Sequence, residues 1–271
     1  MIFISTRKRL DNEDELGSTS YWDIPIVNQV EQGEPADHRE LGLADVKDFV
    51  AGKSILILVH GFNNEFPDII RAYDMIEAQI QTHLGDWYDA VVGFSWPGGD
   101  SPIDWYAPKR RAGVVGPRLA QFLRAVGDEA DSIDLMSHSL GARVVLSALN
   151  LLPANSIRGN FMTAAAVDNE VLEPGQKYFS AVQTGASESV VLHTKHDFVL
   201  KSAYRLAEWD NPLGLYGPEN PAVVIEHLPN VTVGNCKNVV HGHGEYKTSD
   251  EVFQFINDWL AGNIETQFVT V

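Results

Sequence analysis

The chain has 271 residues, 20 Lys and Arg against 37 Asp and Glu, a formal charge of −17, and 44% hydrophobic residues. It is too apolar for a disordered chain and long enough for a large α/β domain. Its acidity, with no Lys/Arg stripe, argues against nucleic acid and anionic membrane surfaces, since holding phosphates requires clustered cations. The single cysteine, Cys236, excludes an intramolecular disulfide framework and a Cys-based zinc site. The opening apolar stretch, Met1–Ile4, is too short for a signal peptide, and no run approaches the roughly 18 apolar residues of a membrane span. A soluble, cytoplasmic protein is the expectation.

Short apolar runs alternate with helical-period segments, the pattern of a parallel sheet with crossover helices. Met1–Ser5 and Ile24–Val30 read as extra N-terminal strands within an extension over 1–40, with an acidic loop between them. Ser54–His60 (SILILVH) reads as a buried strand ending in Gly61-Phe62-Asn63-Asn64. Ile69, Tyr73, Ile76 and Ile80 then mark one apolar helix face, with Pro67 near its start, where a missing N–H costs nothing. Ala90–Trp96 is the next strand, stopped by Pro97-Gly98-Gly99, and Lys109–Val126 the next helix, with Pro117 tolerated inside it.

The alternation continues with strand Ser132–Met136, helix Gly141–Leu151, strand Asn160–Val167, a helix within 171–183 and strand Ser189–His193. A helix over Leu200–Glu208 leads into a Pro/Gly-rich stretch, so that 201–231 holds a small cap or a plain connecting loop. A strand near Val231–Val240 precedes a closing helix, Ser249–Leu260, with Asp250 and Glu251 at the positive end of its dipole and Gly262 at its stop. One domain over 1–271 is expected, with no internal repeat.

The chemistry-bearing feature is Ser137-His138-Ser139-Leu140-Gly141 between a strand and an Ala/Val/Leu helix. A sharp strand-to-helix turn lifts the Ser139 hydroxyl clear of the sheet, and the helix behind it offers free N–H groups. Ser137 stands where the usual pattern has its first Gly. A serine of this kind needs two N–H groups aimed at a developing oxyanion. Leu140 supplies one. The turn His60-Gly61-Phe62 supplies the other from Phe62, with Gly61 permitting unusual backbone angles and His60 as support.

LVHGFNN (58–64), GFSWPGGD (93–100), IDLMSHSLGARVVLSAL (133–149) and Thr6-Arg7 together resemble the α/β-hydrolase superfamily, and within it a bacterial branch of uncharacterised members. The resemblance spans about residues 1–260 and implies a mostly parallel sheet with helices on both faces. It also implies a triad in the order serine, acid, histidine. Asp197, in the loop after Ser189–His193, is the acid implied, with Asp168 in AAAVDNE the rival. His243 in His-Gly-Glu-Tyr is the histidine implied, with His241 the rival. His138 reads as packing or hydrogen-bonding support, since it points away from Ser139.

Trp96, Trp105 and Tyr106 could wall an acyl pocket or serve structure alone, and Arg110-Arg111 reads as a solvated helix end. His193, His196 and Asp197 lack a third distant ligand for a metal. No metal and no cofactor are expected. The activity implied is serine hydrolysis of a small-molecule carboxylic ester through an acyl-enzyme. Lipase-like, thioester or amide cleavage is the alternative, and a catalytically inactive scaffold that binds a partner is another.

Overall fold

The computed structural model describes residues 1–9, 15–17, 26–30, 38–62, 65–99, 106–204 and 208–271. Ile24, Pro25, most of the acidic loop, Asn63, Asn64 and Trp105 lie outside the described residues. No helix among the described residues is long and apolar enough to cross a membrane.

The chain begins with β1 (Ile2–Ser5), β2 (Ile26–Val30), β3 (His38–Leu41) and α1 (Leu43–Val50). The crossover units follow: β4 (Ser54–Val59), α2 (Phe66–His83), β5 (Ala90–Ser95), α3 (Tyr106–Val126), β6 (Ser132–His138), α4 (Gly141–Leu149), β7 (Ile157–Thr163) and β8 (Ala186–His193). The remainder holds a helical turn α5 (Leu213–Tyr216), α6 (Pro221–His227), β9 (Val231–Asn235), α7 (Asp250–Leu260) and β10 (Phe268–Thr270).

These strands form one ten-stranded sheet in the order β10-β9-β8-β7-β6-β4-β5-β1-β2-β3. Only β1–β2 and β2–β3 pair antiparallel; every other neighbour pair is parallel. Central strands of such a sheet are covered on both faces and so read as continuous apolar runs. Ile55, Leu56, Ile57, Leu58 and Val59 of β4 are all buried accordingly.

Several expectations change. The helix expected within 171–183 is reduced to a short 3-10 turn at Asn169–Leu172 and one wide turn at Ala181–Gly185. Gly175, at φ 90°, interrupts the segment between them with a backbone that no helix contains. The strand expected to reach Val167 stops at Thr163, because Ala164 turns to φ 48°. The strand expected to reach Val240 stops at Asn235. Of the helix expected over Leu200–Glu208, Leu200–Tyr204 is one wide turn and Glu208 is helical, while 205–207 lie outside the described residues. The Pro/Gly-rich stretch instead contains α5 and α6, the latter opened by Pro221 at its first turn. At the closing helix, Ser249 is the N-cap and its side chain accepts from Val252 N–H.

The strand order reverses at β4. From β4 the chain moves outward to β5 through α2, then returns across β4 to β6 through α3. Because parallel crossovers are right-handed, α2 and α3 leave the sheet on opposite faces. The loops after β4 and β6 therefore diverge, opening a crevice at the carboxyl ends of neighbouring strands. Gly61 follows β4 and Ser139 follows β6.

Candidate active site at the strand switch point

Ser139 has φ 54°, a left-handed conformation that a non-glycine residue keeps only when its surroundings enforce it. Both of its main-chain groups are held. Its N–H donates to Thr163 O at 3.0 Å, and its carbonyl accepts from Ala142 N–H at 3.1 Å and Ala166 N–H at 3.0 Å. Gly141 lets the elbow settle on the end of β4: a Cβ there would lie 2.4 Å from Val59 O and 2.6 Å from His60 O. Ser137 is accommodated, fully buried, with its hydroxyl 3.4 Å from Phe161 O.

The turn after β4 meets this elbow directly. A Cβ on Gly61 would lie 2.8 Å from Ser139 Cβ, 3.0 Å from His138 O and 3.4 Å from Leu140 N. Gly61 is not in the left-handed region, so the expectation of unusual backbone angles is corrected. What demands glycine is the close approach of two backbones.

His60 is buried and its tautomer follows from its partners. Trp96 N–H donates to Nε2 at 3.1 Å, so the ring proton sits on Nδ1 and donates to Gly61 O at 2.9 Å. Burial, with the nearby Arg7 charge, pushes its pKa well below the ordinary histidine range, keeping it neutral. In a trans peptide the carbonyl and the next N–H point opposite ways. Fixing Gly61 O on the His60 ring thus turns the Phe62 N–H away from that ring.

Trp96 is fully buried, stacks on His60 at 5.6 Å between ring centroids, and donates from Nε1 to His60 O at 2.8 Å. It is a brace for the turn and not a pocket wall. Tyr73 also braces it: its hydroxyl accepts from His60 N–H and lies 2.8 and 2.9 Å from the Leu58 and Phe94 carbonyls. Tyr73 reads from sequence as an ordinary core residue of α2, and its polar tip is the only signal of this role.

Asp197 is fully buried and Oδ2 lies 2.6 Å from His243 Nδ1. Its other oxygen accepts from Leu200 N–H at 2.9 Å, which fixes the carboxylate plane. Thr194 Oγ1 donates to Val240 O at 2.8 Å, and Cys236 N–H to His193 O at 2.8 Å. Those two bonds stitch the acid's loop to the histidine's loop. His138 then ties His243 to the elbow. Its Nε2 donates to His243 O at 2.7 Å, and the two rings lie 4.5 Å apart. Burial and the neighbouring His243 push the His138 pKa down to about 3. Among the described residues Ser139 Oγ makes no hydrogen bond to His243; without substrate such bonds are often long.

The rivals stand elsewhere. His241 is exposed, its ring packs 5.5 Å from His196, and its N–H donates to Glu245 at 2.7 Å. Asp168 accepts from the Tyr204 hydroxyl and lies 3.6 Å from Arg143 Nη2, with no histidine among its partners in the described residues. Arg143 is buried, donates from Nε to Ala166 O at 2.9 Å and from Nη2 to Tyr204 at 2.9 Å. It thereby holds the segment whose Ala166 N–H clamps Ser139. The sequence signal for this is a lone charge, Arg143, inside the mostly apolar GARVVLSAL. Arg111 is half-buried, with Nη1 3.4 Å from Pro97 O, and is not simply solvated.

Residues 42–256 match the family described as "Alpha/beta hydrolase of unknown function (DUF900)". The chain belongs to that α/β-hydrolase family. No curated protein matches it. Among solved structures, the chain is similar to one of LipS and LipT, two metagenome-derived lipolytic enzymes. That likeness has 11% identity, covers 79% of this chain and 94% of the other, and has a TM-score of 0.45. A second is 2,6-dihydroxy-pseudo-oxynicotine hydrolase, at 13% identity over 87% of this chain and 63% of the other, TM-score 0.42. Family membership rests on the matched segment, not on these two likenesses.

Three histidines held neutral by burial, His60 buried and His138 and His193 half-buried, carry a consequence for this hydrolase's stability. His138, His193 (pushed down to about 4 by burial) and His60 all titrate lower in the folded chain than in the unfolded one. Below pH of roughly 6.5 the unfolded chain binds protons that the folded chain refuses. Stability is therefore fully present above that pH and is lost as pH falls toward 4. Urea midpoints at pH 7.5, 6 and 4.5 should fall in that order, and a flat series would contradict it.

Proposed function

We propose that the protein is a serine hydrolase that cleaves a carboxylic ester of a small molecule through an acyl-enzyme. The observation that carries this is the 2.6 Å contact between buried Asp197 and His243, tied through His138 to a left-handed Ser139. In this reading His243 takes the Ser139 proton as Oγ attacks the ester carbonyl. Asp197 holds the ring through Nδ1 and stabilises the imidazolium. The oxyanion sits between the Leu140 and Phe62 N–H groups, one at the unsatisfied start of α4 and one turned by His60. Protonated His243 then gives its proton to the departing alcohol. Water, activated by the same ring, attacks the acyl carbon and releases the acid and Ser139. His60 and His138, both neutral, serve as positioning residues.

Treatment with a fluorophosphonate followed by intact-mass measurement tests the nucleophile. One adduct is expected on the wild type and none on Ser139→Ala. A folded wild type that stays unmodified, or a Ser139→Ala chain that is modified to the same extent, rejects the reading.

A further inference from the structure

Beside this site lies a cavity of about 230 Å³ on the α2 face of the sheet. Its floor is Leu58 of β4 and Met136 of β6, which are register partners, so their side chains share a face. Its walls are Ala72 and Ile76, one helical turn apart on α2, and Val252 and Phe253 of α7. Toward the crevice it is lined by Gly61 and Phe62 from one loop and by His243 from the other. Those two loops flank Ser139.

We infer that this cavity holds the acyl chain of the substrate, and that it selects an unbranched aliphatic chain of about six to eight carbons. The inference rests on the ester-hydrolase reading above. Three features carry it. The floor and the α2 and α7 walls are apolar, which suits hydrocarbon, while Ser137, Thr163, Tyr246 and Lys247 add a minority of polar groups to the lining. The volume bounds the length: at roughly 30 Å³ for each water-sized unit, about 230 Å³ takes about seven to eight. The cleft is floored by the sheet, which suits the group that stays bound. In an acyl-enzyme the acyl group remains on the serine while the alcohol leaves and water enters. A cleft floored by β4 and β6 therefore fits the acyl part.

Ala72 and Ile76 are the residues that set the length. Both are half-buried, so substitution there leaves the tightly packed interior alone. Phenylalanine at 72 fills the cleft; alanine at 76 lengthens it.

The test is the kcat/KM profile for p-nitrophenyl esters from acetate to dodecanoate, on wild type, Ala72→Phe and Ile76→Ala. In the wild type each added methylene should raise kcat/KM by about fourfold up to the hexanoate–octanoate range, with no gain beyond. Ala72→Phe should lower the octanoate-to-acetate ratio by at least about tenfold, and Ile76→Ala should move the optimum to longer chains. A loss of fold would depress every ester together and leave that ratio unchanged. Identical profiles in all three proteins, or a length dependence that follows the alcohol of acetate esters, would overturn the inference. Sodium octanoate added to Ser139→Ala gives a readout free of catalysis: it should raise Tm, and adding Ala72→Phe should abolish the rise. A rise in a chain whose wild type reacts with no ester and no fluorophosphonate keeps the cavity assignment and rejects the catalytic reading. No rise, with the wild type active, rejects the cavity assignment alone.

Discussion

Asp197→Asn is expected to lower kcat by about 10⁴-fold while the fold survives. The amide keeps the shape of the carboxylate and can still accept from Leu200 N–H, which Oδ1 does at 2.9 Å. What is lost is the charge opposite His243 Nδ1 and the tautomer that charge enforces. An amide presented through its NH₂ would push the ring proton to Nε2, the nitrogen that must be bare to receive the serine proton. Asp168→Asn is the matched control. It alters a carboxylate held by Tyr204 and Arg143, so most of the activity should remain. Rates measured on both, with circular dichroism to check folding, decide the acid. Near-normal turnover in Asp197→Asn beside loss in Asp168→Asn would move the acid to the segment after β7.

Gly61→Ala is expected to cost about 10²–10³-fold in the rate of fluorophosphonate inactivation, the usual effect of displacing one oxyanion donor. The added methyl would meet Ser139 Cβ at 2.8 Å and His138 O at 3.0 Å. Neither can yield cheaply, because Ser139 is clamped at both its N–H and its carbonyl. The turn must back away from the elbow, taking the Phe62 N–H with it. Overpacking of this kind also destabilises by about 1–3 kcal/mol, so inactivation and urea midpoint should be read together. Full reactivity in a variant of normal stability would remove Gly61 from the oxyanion turn.

The site was legible where local chemistry and chain order agree. Ser137–Gly141 between an apolar strand and an apolar helix is a local pattern, and so is His60-Gly61 after SILILV. Asp197 and His243 follow parallel strands, where the resemblance put them, and the structure brings those two together. The braces were not legible, because each depends on contacts distant in sequence. His60 acts through Trp96 of β5's end, and Arg143 through Ala166 and Tyr204. The sequence points to the conformation of Gly61, whereas the structure needs its size; a clash with a residue 78 positions on (139 − 61) leaves no local trace. In the fold, the misread stretches were those lacking periodicity. Between β7 and β8 the backbone turns at Ala164 and Gly175 break up a segment whose apolar content suggested a helix. Strands β3 and β10, of four and three residues, are too short to announce themselves.

The place of β1 bears on how this chain reaches its native state. It sits inside the sheet, between β5 and β2, with Ile2 opposite Val92. Pairings that span so much sequence are slow to close. During synthesis the buried, apolar Ile2, Phe3 and Ile4 must wait until β5 has emerged, and the β2–β3 edge cannot dock before them. Through that interval the strand offers unpaired backbone groups to any neighbour, including another nascent copy. The three strands of that edge thus precede in the chain the strand that joins them to the rest of the sheet.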